Sequence, residues 1–121
     1  MPAASSILIA LIALLHVYIL WFEMFAWTSR GPKVFRGFPK ELFEPTKALA
    51  ANQGLYNGFL AAGLVWSLLI SDPAWHFNVA LCFLIFVAVA GLYGAATAAR
   101  NIFYVQALPA LATIAVLLAG Y

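Results

Sequence analysis

Four long apolar runs, separated by short polar breaks, constrain this sequence more than any other feature. The runs cover about 5–27, 46–70, 74–98 and 102–120, and each has about the 20 residues that a helix needs to cross a bilayer. Composition agrees, because 66% of the residues are hydrophobic and 8% are charged, against about 25% charged in a typical soluble domain. We therefore expect one domain, residues 1–121, that is all-α and forms a four-helix transmembrane bundle.

The polar breaks carry helix-boundary signals. Pro45 suits the first turn of the second helix, and Asp72 followed by Pro73 suits the N-cap and first turn of the third. Pro109 lies inside the fourth run and lacks the N–H that would bond to the carbonyl of Val105, which predicts a kink there. No basic residue precedes the first run, so we expect it to be a retained helix and not a secretion signal.

The basic residues predict the orientation of the chain. Five of the six belong to the first connection, about 28–45, or its flank, and the sixth follows the third run. By the positive-inside rule both basic connections face the cytoplasm and both termini are extracytoplasmic, as in a multi-pass protein of the cell (inner) membrane. This explanation removes the reason to expect nucleic-acid binding. The six residues are Arg30, Lys33, Arg36, Lys40, Lys47 and Arg100.

The first connection also contains apolar residues, including Phe35, Phe38 and Phe43, interleaved with its cations. Two interpretations remain open. The segment could be a short amphipathic element lying on the inner leaflet, or an ordinary loop whose cations lie near anionic headgroups.

Polar residues inside the apolar runs gather towards the cytoplasmic side, whereas the outer halves of the runs are almost purely apolar. His16 and Glu23 are seven residues apart, so they share one face of a helix, and an ionisable residue at such a depth is a functional candidate by default. Gly54 and Gly58 form a GxxxG pair that suits close helix contact. We expect the remaining ligand-binding residues to be Asn52, Gln53, Tyr56, Asn57, Trp27, Tyr93, Arg100 and Gln106.

A structural interpretation competes with this one. Glu23 could pair with Arg100, His16 could hydrogen-bond to Tyr56, and the amides could simply join helices. Cys82 is a lone cysteine in an apolar run, which predicts a small buried hydrophobic residue. No Cys/His cluster suggests a metal, and we expect no cofactor.

Two stretches, "HVYILWFEMFAW" and "TKALAANQGLYNGFLAAGLVW", resemble a family of small bacterial and fungal integral membrane proteins known as domain of unknown function 1304. The resemblance covers nearly the whole chain and implies four transmembrane helices, but no activity to carry over. The residues that stand within these motifs are His16, Glu23, Trp27, Asn52, Gln53, Tyr56 and Asn57.

Three functions follow as hypotheses. The first is an intramembrane polar site near the cytoplasmic leaflet that binds a small lipophilic molecule. If it is catalytic, Glu23 or His16 transfers a proton in a reaction such as isomerisation or epoxide opening, and the amides orient the polar head. The second is a proton-coupled transporter. The third is a non-catalytic subunit of a membrane complex, and self-association into a homo-oligomer also fits the small-residue runs.

Overall fold

A computed structural model describes residues 2–121, and it is helical without a strand in that range. Each of the four apolar runs coincides, to within about two residues at either end, with one long helical unit. In chain order the elements are α1 (Ala3–Phe25), α2 (Trp27–Val34), a 3₁₀ turn (Lys40–Leu42), α3 (Lys47–Leu69), α4 (Pro73–Thr97), a π-helical segment (Phe103–Ala107) and α5 (Leu108–Leu118).

The long helices pack in a ring around one apolar core. α1 packs most extensively on α3, α3 packs on α4, α4 packs on the π-helical segment and α5, and α5 returns to α1 along a looser seam. Buried aliphatic side chains from all four units fill the centre, among them Ile9, Leu64, Leu84 and Ala110. The interior is therefore a single core to which every long helix contributes.

The outer surface of this ring is also apolar. Many large hydrophobic side chains are exposed along its length, including Phe25, Leu49, Leu69 and Val89. Two helices, α1 and α4, are long and apolar enough to cross a membrane. A water-soluble protein rarely exposes so continuous an apolar surface, so the surface agrees with those two helices.

The predicted boundary at Asp72 is confirmed. The Asp72 carboxylate accepts a hydrogen bond from the backbone N–H of Trp75 at 3.0 Å, and Pro73 is the first residue of α4. Pro45 differs from expectation, since α3 begins at Lys47 and Pro45 lies in the turn before it. The chain uses Thr46, not Pro45, as the residue that leads into the helix.

The irregularity predicted at Pro109 takes the form of the π-helical segment just before it. The N–H of Leu108 donates to the carbonyl of Phe103, five residues earlier, where an α-helix would bond four residues back. Because Pro109 has no N–H to continue the α-helical ladder, the wider turn is tolerated. It leaves both Gln106 and Ala107 buried against the rest of the protein.

The first connection is folded, not an ordinary loop: it contains most of α2 and the 3₁₀ turn, and its aromatic rings pack on Phe22 of α1. We define the aromatic cap as five rings whose neighbouring centroids lie 5.0–6.3 Å apart. Trp27 anchors it, with its indole N–H donating to the Thr46 hydroxyl at 3.0 Å. The members of the cap are Phe22, Trp27, Phe35, Phe38 and Phe43.

Candidate functional site

Four polar side chains meet inside the apolar ring, and we call them the polar chain: His16, Gln106, Asn57 and Glu23. Two come from α1, one from α3 and one from the π-helical segment. Their exposed fractions are 0%, 9%, 9% and 8%, respectively. Buried polar groups at such positions have to satisfy one another, because little water reaches them.

The hydrogen bonds of the polar chain spread in two directions from the Gln106 amide group, towards His16 and towards Asn57. The His16 Nδ1–H donates to the carbonyl of Ile12 at 2.9 Å, so the neutral imidazole has a bare Nε2 that accepts from Gln106 Nε2 at 3.0 Å. The same Gln106 amide nitrogen donates to Asn57 Oδ1 at 3.4 Å. Asn57 Nδ2 then donates to Glu23 Oε1 at 2.7 Å and to the Gln53 carbonyl at 3.1 Å.

This pattern uses both N–H groups of each amide and leaves acceptors over. Neither Glu23 Oε2 nor Gln106 Oε1 has a hydrogen bond among residues 2–121. Both belong to side chains that keep a small exposed fraction. The polar chain therefore offers two free oxygen acceptors, Glu23 Oε2 and Gln106 Oε1.

Close approach of α3 to α1 brings Asn57 to Glu23, and the GxxxG pair permits it, as the sequence predicts. A Cβ on Gly54 would stand 2.9 Å from Glu23 Cβ and 3.1 Å from the Leu20 carbonyl oxygen. A Cβ on Gly58 would collide with the Leu20 side chain. Glycines at these positions let the two backbones approach closely enough for a short hydrogen bond between their side chains.

Gln106 depends on a second close contact. A Cβ on Gly91 would lie 2.8 Å from the Ala107 Cα, so glycine is needed where α4 meets the π-helical segment. This contact holds backbone against backbone, next to Gln106. The polar chain is thus assembled by two glycine-dependent contacts, one on α3 and one on α4.

The other predicted site residues lie outside the polar chain. Trp27 is half-buried in the aromatic cap, and the rest are exposed on the outer surface: Asn52, Gln53, Tyr56, Tyr93 and Arg100. The two pairings considered as structural alternatives, Glu23 with Arg100 and His16 with Tyr56, are absent between residues 2 and 121.

The opposite end of the ring holds buried polar residues that sequence reasoning missed. His76 is 2% exposed and its Nδ1–H donates to the Ser67 carbonyl at 2.7 Å. Its Nε2 has no hydrogen-bond partner among residues 2–121. Ser5 and Thr113 are buried towards that end as well, so the outer halves are less purely apolar than expected. The sequence feature that could have indicated this second polar region is His76, one helical turn after the N-cap residue Asp72.

An apolar groove of about 250 Å³ lies along the loose seam between α1 and α5. Its wall includes Ile12, whose carbonyl accepts the His16 hydrogen bond, and Pro109, three residues after Gln106. The groove therefore passes within about a helical turn of the polar chain. Its lining residues are Leu8, Leu11, Ile12, Leu15, Pro109, Ala112 and Thr113.

Residues 2–121 contain no group of three or more His, Cys, Asp or Glu side chains that could hold a metal ion. Cys82 corrects an expectation, because it is exposed and not buried. Its position on α4 turns it to the outer surface, where a small apolar side chain also fits well.

Comparison with known proteins agrees with the resemblance seen in the sequence. The model of a family described as protein of unknown function (DUF1304) matches residues 10–118. The uncharacterized protein YpaA of Lactococcus lactis subsp. lactis (strain IL1403) is 31% identical over 108 residues, which cover 88% of this chain and 89% of that protein. No solved structure matches. The chain belongs to the DUF1304 family.

Proposed function

We propose that this protein is a four-helix transmembrane bundle that binds a small lipophilic molecule at the polar chain. In this proposal the basic connections face the cytoplasm, both termini are extracytoplasmic and the site lies towards the inner leaflet of the cell membrane. The exposed apolar surface supports the embedding, and the distribution of all six basic residues supports the orientation.

The observation that carries the proposal is the unbalanced hydrogen bonding of the polar chain. Its amide N–H groups are all used, whereas Glu23 Oε2 and Gln106 Oε1 remain as acceptors. Such a site is completed by a ligand that donates hydrogen bonds, such as a hydroxyl group. A purely structural link between helices has no need for these two acceptors, and because neither oxygen is among the fully buried unpaired atoms of residues 2–121, a ligand can reach both.

The rest of the ligand is apolar. The groove between α1 and α5 is lined almost entirely by aliphatic side chains and reaches Ile12 and Pro109, close to His16 and Gln106. A molecule entering from the bilayer through this seam would place its apolar body along the groove and its polar head at the polar chain. Ligand pockets commonly combine an apolar wall with a few convergent polar groups in this way.

Proton transfer in this site would be linked to Gln106. Protonation of His16 at Nε2 converts that atom from acceptor to donor, so Gln106 has to present its carbonyl oxygen in place of its NH₂ group. Asn57 Oδ1 then loses its hydrogen-bond donor. Because Asn57 is also the residue that donates to Glu23, protonation of His16 affects the surroundings of Glu23. His16 and Glu23 are therefore the groups we propose for proton transfer if the bound molecule undergoes isomerisation or epoxide opening.

The test is to purify the protein in mild detergent and identify bound small molecules by mass spectrometry. We expect a stoichiometric molecule with an apolar body and one hydrogen-bond-donating end in the wild type. It should be lost in Gln106→Leu and reduced in Glu23→Gln, whereas Asn52→Ala, at an exposed amide of α3, should retain it. Finding only bulk phospholipid in every sample would overturn the proposal.

Proton-coupled transport is a second candidate, favoured by one observation. His76 and Ser67 place buried polar groups at the far end of the apolar core from the polar chain. A carrier needs such groups on both sides of its barrier. Uptake driven by a pH gradient in liposomes, and abolished by His76→Leu, would favour transport over binding alone.

A further inference from the structure

Arg30 makes an unusual contact for a residue of a connecting segment. Its Nε donates to the Tyr18 hydroxyl at 2.8 Å, and its guanidinium carbon lies 5.7 Å from the centre of the Tyr18 ring. α1 ends at Phe25 and α2 begins at Trp27, and the non-helical backbone of Ala26 changes the direction of the chain between them. Tyr18 lies seven residues, about 10 Å at 1.5 Å per residue, before the end of α1, and Arg30 reaches its hydroxyl from beyond that end.

The surroundings of this guanidinium are apolar and face outward. Tyr18 and Trp21 are 40% and 46% exposed, and their ring centroids are 5.8 Å apart. Tyr18 is a neutral partner, and no carboxylate pairs with Arg30 among residues 2–121. A cation on the lipid-facing side of a helix is costly unless an anion neutralises it. The Nε contact with Tyr18 also leaves the two terminal nitrogens of the guanidinium directed elsewhere.

A second cation stands beside the first. Lys33 is three residues after Arg30 on α2, hence on the same face of that helix, and it is exposed. A planar guanidinium binds phosphate oxygens in pairs, and an ammonium adds a point charge. Trp21 provides an aromatic surface next to Tyr18 for an acyl chain.

We propose that Arg30, oriented by Tyr18, binds the phosphate of an anionic membrane lipid, with Lys33 adding charge and Trp21 contacting the lipid chain. The site is separate from the polar chain. It rests on the membrane embedding proposed above, but not on the ligand proposed there.

The experiment compares phosphatidylglycerol with phosphatidylcholine on the full-length protein, by native mass spectrometry from mild detergent. We expect the wild type to retain phosphatidylglycerol preferentially. Arg30→Gln should lower that affinity about fivefold, which corresponds to about 1 kcal/mol for one cation at a membrane surface. Arg30→Lys and Tyr18→Phe should give intermediate losses, because each keeps part of the site.

Two controls separate this proposal from others. Arg100→Gln removes an exposed cation elsewhere, and Glu23→Gln alters the polar chain, so both should leave the lipid preference unchanged. An equal loss in Arg100→Gln would overturn the proposal in favour of general charge attraction. Binding of inorganic phosphate, together with equal retention of the two lipids, would also overturn the proposal, because the occupant would then be a free anion. Size-exclusion and helical circular dichroism check that each variant is folded.

Discussion

Asn57 donates a hydrogen bond from Nδ2 to Glu23 Oε1 at 2.7 Å, joining α3 to α1 across 34 residues of sequence. Both side chains are more than nine-tenths buried. The bond exists because Gly54 lets the helices approach closely at the level of Glu23. It is the shortest link of the polar chain, and the site depends on it.

Replacing Asn57 by Leu should destabilise the protein, because Glu23 would lose its donor while it remains buried. Interhelical hydrogen bonds in membranes contribute about 0.6 kcal/mol on average and up to about 1.7 kcal/mol, and we expect a value near the upper end here. Thermal unfolding in detergent measures it, with Asn52→Leu as the exposed control on the same helix. A double-mutant cycle with Glu23→Leu should show coupling between the two sites. Independent, additive effects would contradict a direct bond.

Gly54→Ala should cost more stability than Gly58→Ala, although both glycines face α1. The new Cβ at Gly54 meets Glu23 Cβ and the Leu20 carbonyl oxygen, which move only if the helices separate. At Gly58 it meets the end of the flexible Leu20 side chain, which can rotate away. Overpacking of this kind costs about 1–3 kcal/mol. Unfolding curves of the two variants provide the comparison, and equal losses would contradict the geometry.

Gly91→Ala should disrupt the site from α4, without touching any member of the polar chain. The added methyl group meets the Ala107 backbone, so the π-helical segment has to shift and take Gln106 with it. We expect loss of the bound molecule, measured by mass spectrometry. Gly94→Ala is the matched control, because its methyl group meets only the Ile102 side chain at 3.2 Å. Retention of the molecule in Gly91→Ala would show that the site tolerates the shift.

The two buried histidines should respond differently to substitution by Leu. His16→Leu leaves the Gln106 amide without one acceptor, so stability should fall by about 1–3 kcal/mol. His76→Leu removes an Nε2 that has no partner among residues 2–121, and the Ser67 carbonyl still accepts from Ile70, so the loss should be smaller. Chemical unfolding of the two variants measures the difference. A larger loss for His76→Leu would indicate a ligand or water at its Nε2.

The proposed orientation can be tested by labelling single cysteines in intact cells. With Cys82 replaced by Ala, Ser71→Cys should react with a membrane-impermeant thiol reagent added outside, whereas Gly37→Cys should react only after the membrane is opened. Both positions are exposed in connections between helices, so their reactivity reports the side of the membrane on which they lie and not their burial. The reverse pattern would place the basic connections outside the cell.

Much of the site could be anticipated from residue types, because buried ionisable groups and amides are rare in apolar helices. His16, Glu23, Asn57 and Gln106 were among the predicted residues, and they do meet. The exposed candidates were equally polar and close in sequence. Residue type and approximate depth could not separate them, because those properties do not specify which face of a helix meets its neighbour.

The sequence by itself determined the helical units, because apolar length and the Asp72–Pro73 signal act within one segment. It also determined that α3 could approach another helix closely. Only the tertiary structure decided which polar residues meet. α1 packs on the Gly54 side of α3, about 200° around the helix from Asn52, so Asn57 turns inward and Asn52 outward. The π-helical segment, which contains Gln106, likewise departs from the regular 100° per residue of an α-helix. Such a departure depends on contacts between helices, which no local sequence pattern specifies.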